Sequence, residues 1–88
     1  EPEIIRRDDG SLLVDGQCSF YEFLEYIDME CLYPEYDYNT ISGLILHLLE
    51  HIPHTGEKIS WHELEFEIVD MDGARIDKIL VYSKKHDK

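Results

Sequence analysis

Apolar residues in the stretch 40–56, TISGLILHLLEHIPHTG, recur at Ile41, Leu44, Ile45, Leu48, Leu49 and Ile52. Those offsets give one wide stripe on a period near 3.6, with Leu46 at its edge, which predicts a buried helix. Asn39 or Thr40 supplies a cap, because either side-chain oxygen can accept from an unpaired N–H of the first turn. Pro53 predicts the end of the helix, since it has no N–H to donate and restricts the residue before it. The rest of the chain reads as cover for this stripe.

Upstream, residues 4–7 and 12–14 are short β-prone runs around Asp8-Asp9-Gly10-Ser11, a strong turn signal. They predict a hairpin, and Asp15-Gly16 turns the chain again. Ser19 with Glu22 three residues on makes a capping box. Phe20, Phe23, Leu24 and Ile27 then give a helical stripe of core character. Residues 30–39 form a loop around Pro34, with Tyr33, Tyr36 and Tyr38 burying rings and leaving hydroxyls wet. Downstream, Lys58–Trp61 is a short strand, and Leu64, Phe66 and Ile68 alternate as in a half-buried strand. Val69 and Met71 fall on the opposite parity, which predicts a bulge or strand end near Val69. Asp72-Gly73 is a hairpin turn. In the last strand Ile76, then Ile79 and Val81, switch parity near Lys78, and residues 83–88 form a polar tail. The order β-β-α-α-β-β-β predicts an α+β fold, a small mostly antiparallel sheet with two helices packed on it.

At 88 residues the chain is one domain, 1–88. It has 43% hydrophobic and 11% aromatic residues, as a folded domain does. Eight basic and 20 acidic residues give a net charge of −12, which repels nucleic acid and an anionic membrane surface. The same charge serves either as a solvating surface or as a field that attracts divalent cations or a basic partner. Cys18 and Cys31 form no CxxC pair and read as free thiols of a reducing compartment. No run approaches the length needed to insert into or span a membrane. Residue 1 is Glu rather than Met, so the expectation is a domain excised from a longer protein.

His47-Leu48-Leu49-Glu50-His51 matches H-x-x-E-H, the inverted zinc-protease signature. On a continuous helix it sets two imidazoles one turn apart. The protease needs a third ligand far downstream, and the chain ends soon after, so adventitious Zn2+ or Ni2+ binding by the pair, with His54 nearby, is the expectation. Carboxylates cluster at Asp8, Asp9 and Asp15, at Glu35 and Asp37, and at Asp70 and Asp72. Mg2+ keeps several waters and needs only one or two carboxylates, so these seven residues are the metal candidates. Asp is also common in turns for backbone reasons. Gly43 lies inside a helix, which predicts close approach of another backbone segment there. No phosphate loop and no Ser/His/Asp or Cys/His arrangement stands out, so no catalytic residues are assigned and an enzyme is not expected.

Three segments carry a family resemblance: residues 8–16 (DDGSLLVDG), 36–59 (YDYNTISGLILHLLEHIPHTGEKI) and 63–81 (ELEFEIVDMDGARIDKILV). Together they resemble, in order and spacing, the CorC/HlyC transporter-associated domain of bacterial hemolysin-like and CorC-like membrane proteins. Ser42 stands where the family often has the first glycine of a pair. Ala74 stands where a polar or basic residue is common, which leaves Arg75 alone and weakens anion binding there. The resemblance implies a parent with a transmembrane domain and a tandem CBS pair, this domain lying on the cytoplasmic side of the inner membrane. It implies a regulatory role in Mg2+ and Co2+ transport, by docking on the CBS pair or on a second copy as a homodimer, or by weak Mg2+ binding. The alternatives are an FAD or nucleotide-binding module, which the acidic field opposes, and a packing module with no ligand.

Overall fold

The computed structural model describes residues 4–33 and 38–83. The elements follow the predicted order: β1 (Ile4–Arg6), β2 (Leu12–Asp15), α1 (Phe20–Tyr26), α2 (Ile41–Leu49), β3 (Lys58–Trp61), β4 (Leu64–Asp72) and β5 (Arg75–Ser83). A single 3-10 turn at Glu30–Leu32 follows α1. All five strands join one antiparallel sheet in the order β1-β2-β5-β4-β3.

One face of that sheet carries the core. Leu12, Val14, Phe66, Ile68, Ile76, Ile79 and Val81 alternate onto it and are all at most 6% exposed. The helices close over them with Phe20, Phe23, Leu24, Ile41, Leu44 and Ile45, all fully buried. Aromatic rings join the layers: Phe23 meets Phe66 at 6.2 Å and Phe20 meets Trp61 at 5.8 Å between centroids. Such tilted pairs add about 0.5–1.5 kcal/mol beyond the area they bury. Tyr33 and Tyr38 pack partly buried rings against Phe20, as expected of them, while Tyr36 lies outside the described residues.

The parity changes in the last two strands are a paired irregularity. Ile68 faces Ile79 and Met71 faces Ile76, but two residues intervene on each strand, Val69-Asp70 and Asp77-Lys78. Both strands therefore return their next apolar side chain to the core. The distortion also turns the Asp77 carbonyl toward the Gly16 N–H, 2.9 Å away.

Gly16 is where the fold is welded. Its carbonyl accepts from Ser42 N–H at 3.2 Å, and the Cys18 carbonyl accepts from Ile41 N–H at 3.0 Å. Two of the four N–H groups that a helix start leaves unpaired are thus satisfied by the turn before α1. Thr40 caps a third, accepting from Gly43 N–H at 3.2 Å, and Ser19 caps α1 through Glu22 N–H. A Cβ on Gly16 would lie 2.1 Å from the Ile76 carbonyl oxygen. The close backbone approach is therefore at Gly16. Gly43, where the sequence predicts it, has only ordinary neighbours at 3.6 and 3.7 Å.

Helix α2 is also shorter than its apolar stripe. It ends at Leu49, and Glu50 adopts a left-handed conformation, φ 63°, with its N–H bonded to the Leu46 carbonyl. A proline ring clashes with the carbonyl four residues back, here Leu49, so the effect of Pro53 reaches past its immediate neighbour. Ile52 consequently leaves the stripe and is 61% exposed, while Pro53 itself is buried.

Candidate functional surface

The sheet's second face presents the alternate residues. Ile5, Leu13, Leu80 and Glu67 stand in register across β1, β2, β5 and β4, with Lys58 on β3 at the far edge. Tyr82 and Glu65 form the neighbouring row. Leu13, Leu80 and Tyr82 are half-buried and Ile5 is 47% exposed, in contrast to the sealed core face. A groove of about 330 Å³ opens there, lined by Asp9, Ser11, Glu67, Leu80 and Tyr82. Leu80 and Tyr82 form the apolar part and two carboxylates border it.

The turn between β1 and β2 holds Asp9 at this groove. Its Oδ1 accepts from both the backbone N–H and the hydroxyl of buried Ser11, at 3.0 and 2.6 Å. These bonds hold the Asp9 carboxyl below its ordinary pKa. Asp8 is exposed beside it. Asp15 sits one turn later and accepts from Gln17 N–H at 2.9 Å. Asp70 and Asp72 are exposed on β4, where Asp70 faces Lys78 in register and Asp72 lies 3.7 Å from Arg75. Glu35 and Asp37 lie outside the described residues. Among the described residues, the other five carboxylates are divided between the β1–β2 turn, the turn after β2 and the end of β4, and no three His, Cys, Asp or Glu side chains are grouped to hold a metal ion.

The H-x-x-E-H reading is corrected by the helix end. His47 lies on α2 with its ring 5.4 Å from that of Tyr38, whereas His51 lies beyond the left-handed Glu50. His51 Nε2 instead meets Glu57 Oε2 at 2.6 Å, and His54 Nδ1 lies 3.2 Å from Glu57 Oε1. The imidazole of His51 is the main cause holding the Glu57 carboxyl below its usual range. This clasp fastens the connection from α2 to β3, since Glu57 also pairs its carbonyl with Ile68 N–H. Cys18 is buried, which pushes its thiol pKa up, and Cys31 is exposed; both are free.

Sequence reasoning did not single out Glu67, Leu80 or Tyr82. The signal was present in the alternation: each is out of phase with the core series Phe66, Ile68, Ile79 and Val81. What the pattern lacked was any statement of which sheet face the helices leave bare.

No helix among the described residues is long and apolar enough to cross a membrane. The family model for the transporter-associated domain, CorC_HlyC, matches residues 5–85. A UPF0053 protein of Synechocystis is 46% identical over 83 residues, covering 92% of this chain and 18% of that protein. A polyamine export protein of Haemophilus influenzae is 33% identical over 81 residues, 92% of this chain and 19% of that protein. The chain thus spans under a fifth of the length of these relatives. The CorC_HlyC domain of a Xylella fastidiosa hemolysin, solved in complex with Mg2+ and Mn2+, superimposes with a TM-score of 0.79 at 39% identity, over 91% of this chain and 95% of that one. The α+β sheet order, the turn sequences and the match along residues 5–85 lead to one assignment: the chain belongs to the CorC/HlyC transporter-associated domain family.

Proposed function

We propose that this domain is a non-catalytic accessory unit of a larger membrane transport protein, held on the cytoplasmic side. It modulates the movement of Mg2+, Co2+ or related divalent cations by docking on the CBS pair of its parent. The observation that carries this reading is the sheet face left uncovered among the described residues. Half-buried Leu13, Leu80 and Tyr82 lie on it, with exposed Ile5, in a chain that spans under a fifth of its relatives. Apolar residues in one sheet row, bordered by carboxylates, are the anatomy of a contact surface. The parent's remaining length is the nearest source of a partner.

Docking accounts for a response to Mg2+ better than a metal centre within the described residues does, because the carboxylates there are dispersed. Flavin is the weaker alternative. The groove stands at the low end of the roughly 300–1,000 Å³ usual for small-molecule sites, and Asp9 and Glu67 repel a pyrophosphate.

The test is deletion of this domain from the full-length parent, followed by Mg2+ efflux over a range of internal Mg2+. Altered efflux, or a lost dependence on internal Mg2+, supports the reading, and unchanged transport and regulation sink it. The name of the Haemophilus relative gives a second reading, in which the modulated cargo is an organic polycation. Spermidine export from the same cells separates the two.

A further inference from the structure

We propose that the groove on the bare sheet face is an anchor site for one lysine or arginine side chain, presented by another segment of the parent protein. The inference rests on the docking reading above and gives it a place and a chemistry. Long basic side chains carry an apolar stem and a charged head, and they bind best where both are met. Here Leu80 and the Tyr82 ring offer a surface for the stem, and the ring face also attracts the cation. Asp9 and Glu67 offer the acceptors for the head.

Asp9 is already oriented for this. Ser11 donates two hydrogen bonds to Oδ1, and a carboxylate has about four acceptor sites, so half remain for a guest. Glu67 is fixed on β4 between Leu80 and Lys58 in register. Lys58 is not among the groove's lining residues, and no ion pair within 4 Å joins it to Glu67 among the described residues. The lining itself includes no basic side chain, but Arg7, just before the turn, acts on the Asp9 carboxyl, so a guest head group shares Asp9 with Arg7 and has Glu67 to itself among the lining carboxylates. With a net charge of −12, the surrounding field draws a cationic segment toward the face and repels an acidic one.

A photocrosslinker at Leu13, beside the groove but not lining it, tests the proposal in the full-length parent within its membrane. The expected result is an adduct with a segment of the parent that carries Lys or Arg within a few residues of the crosslinked position. Glu67→Lys should lower its yield about tenfold, and Asp72→Lys, outside the groove, should leave it unchanged. Glu67→Gln keeps the side chain's shape and should also lower the yield, which covers the case in which the reversed charge disturbs folding. An adduct with a segment lacking basic residues, or a yield unchanged from the parent sequence in both Glu67 variants, overturns the anchor. If domain deletion alters efflux while the Glu67 variants change nothing, the anchor falls and the accessory role stands. If deletion changes nothing, the accessory role falls whatever the adduct shows.

Discussion

Replacing Gly16 with Ala should be among the most damaging single-methyl additions in this domain. The new Cβ would stand 2.1 Å from the Ile76 carbonyl oxygen and 2.9 Å from its carbon, where ordinary contact begins near 3.4 Å. Both atoms are backbone within β5, so no side chain can swing aside. Relief requires a shift of more than 1 Å between the β2–α1 turn and β5. That shift breaks the bond from Gly16 N–H to the Asp77 carbonyl and strains the one from Ser42 N–H to the Gly16 carbonyl. Each is worth about 1 kcal/mol net, and a buried group left unpaired costs about 1–3 kcal/mol more. A total near 3 kcal/mol is a large share of the roughly 5–15 kcal/mol available to a domain. At about 4–8 °C per kcal/mol for a chain of this size, the melting temperature should fall by roughly 12–24 °C. Urea and thermal unfolding followed by Trp61 fluorescence reads this directly. Gly43→Ala is the paired control: its Cβ meets nothing closer than 3.6 Å, and a helix interior prefers Ala to Gly by about 1 kcal/mol. It should raise stability. A Gly16→Ala protein within about 0.5 kcal/mol of the parent sequence, or a Gly43→Ala protein that loses stability, would refute the assignment of the close contact.

Three further outcomes follow from the same geometry. Thr40→Ala removes the side-chain acceptor for Gly43 N–H and should cost about 1 kcal/mol in urea melts, with Thr40→Ser recovering most of it. Glu57 has a carboxyl pKa depressed in the fold, so the stability it contributes is present above its unfolded value of 4.5 and is lost as pH falls through the folded value. Glu57→Gln should therefore flatten the fall in stability as pH drops below about 4.5, and an unchanged slope would show that Glu57 does not contribute to it. Thiol labelling of the native domain should modify exposed Cys31 rapidly and buried Cys18 only on unfolding; equal rates would contradict the burial of Cys18.

How far the sequence reaches depends on whether the cause is local. The double parity switch at Val69 and Lys78 is local, and it became the paired irregularity between β4 and β5. The capping residues Ser19 and Thr40 are local as well. Gly16 is not: its restriction comes from Ile76, 60 positions away, so nothing around Asp15-Gly16 distinguished a welded contact from an ordinary turn. The helix end was partly legible, because a proline at 53 bears on the carbonyl of residue 49. The left-handed state of Glu50 had no signal, since glycine is the usual residue there. Reading His51 on the same helix as His47 hid its pairing with Glu57. The outer-face residues were written in the alternation, but which face the helices leave open is a property of the assembled sheet.

In the intact parent, the sheet face that α1 and α2 leave uncovered should be covered by another segment. Hydroxyl-radical footprinting of Leu80 and Tyr82, compared between the excised domain and the full-length protein in its membrane, measures that cover directly. Labelling at both residues should fall several-fold in the parent, with Phe66, fully buried in the core, unlabelled in either form. Equal labelling of Leu80 and Tyr82 in the two forms would contradict it.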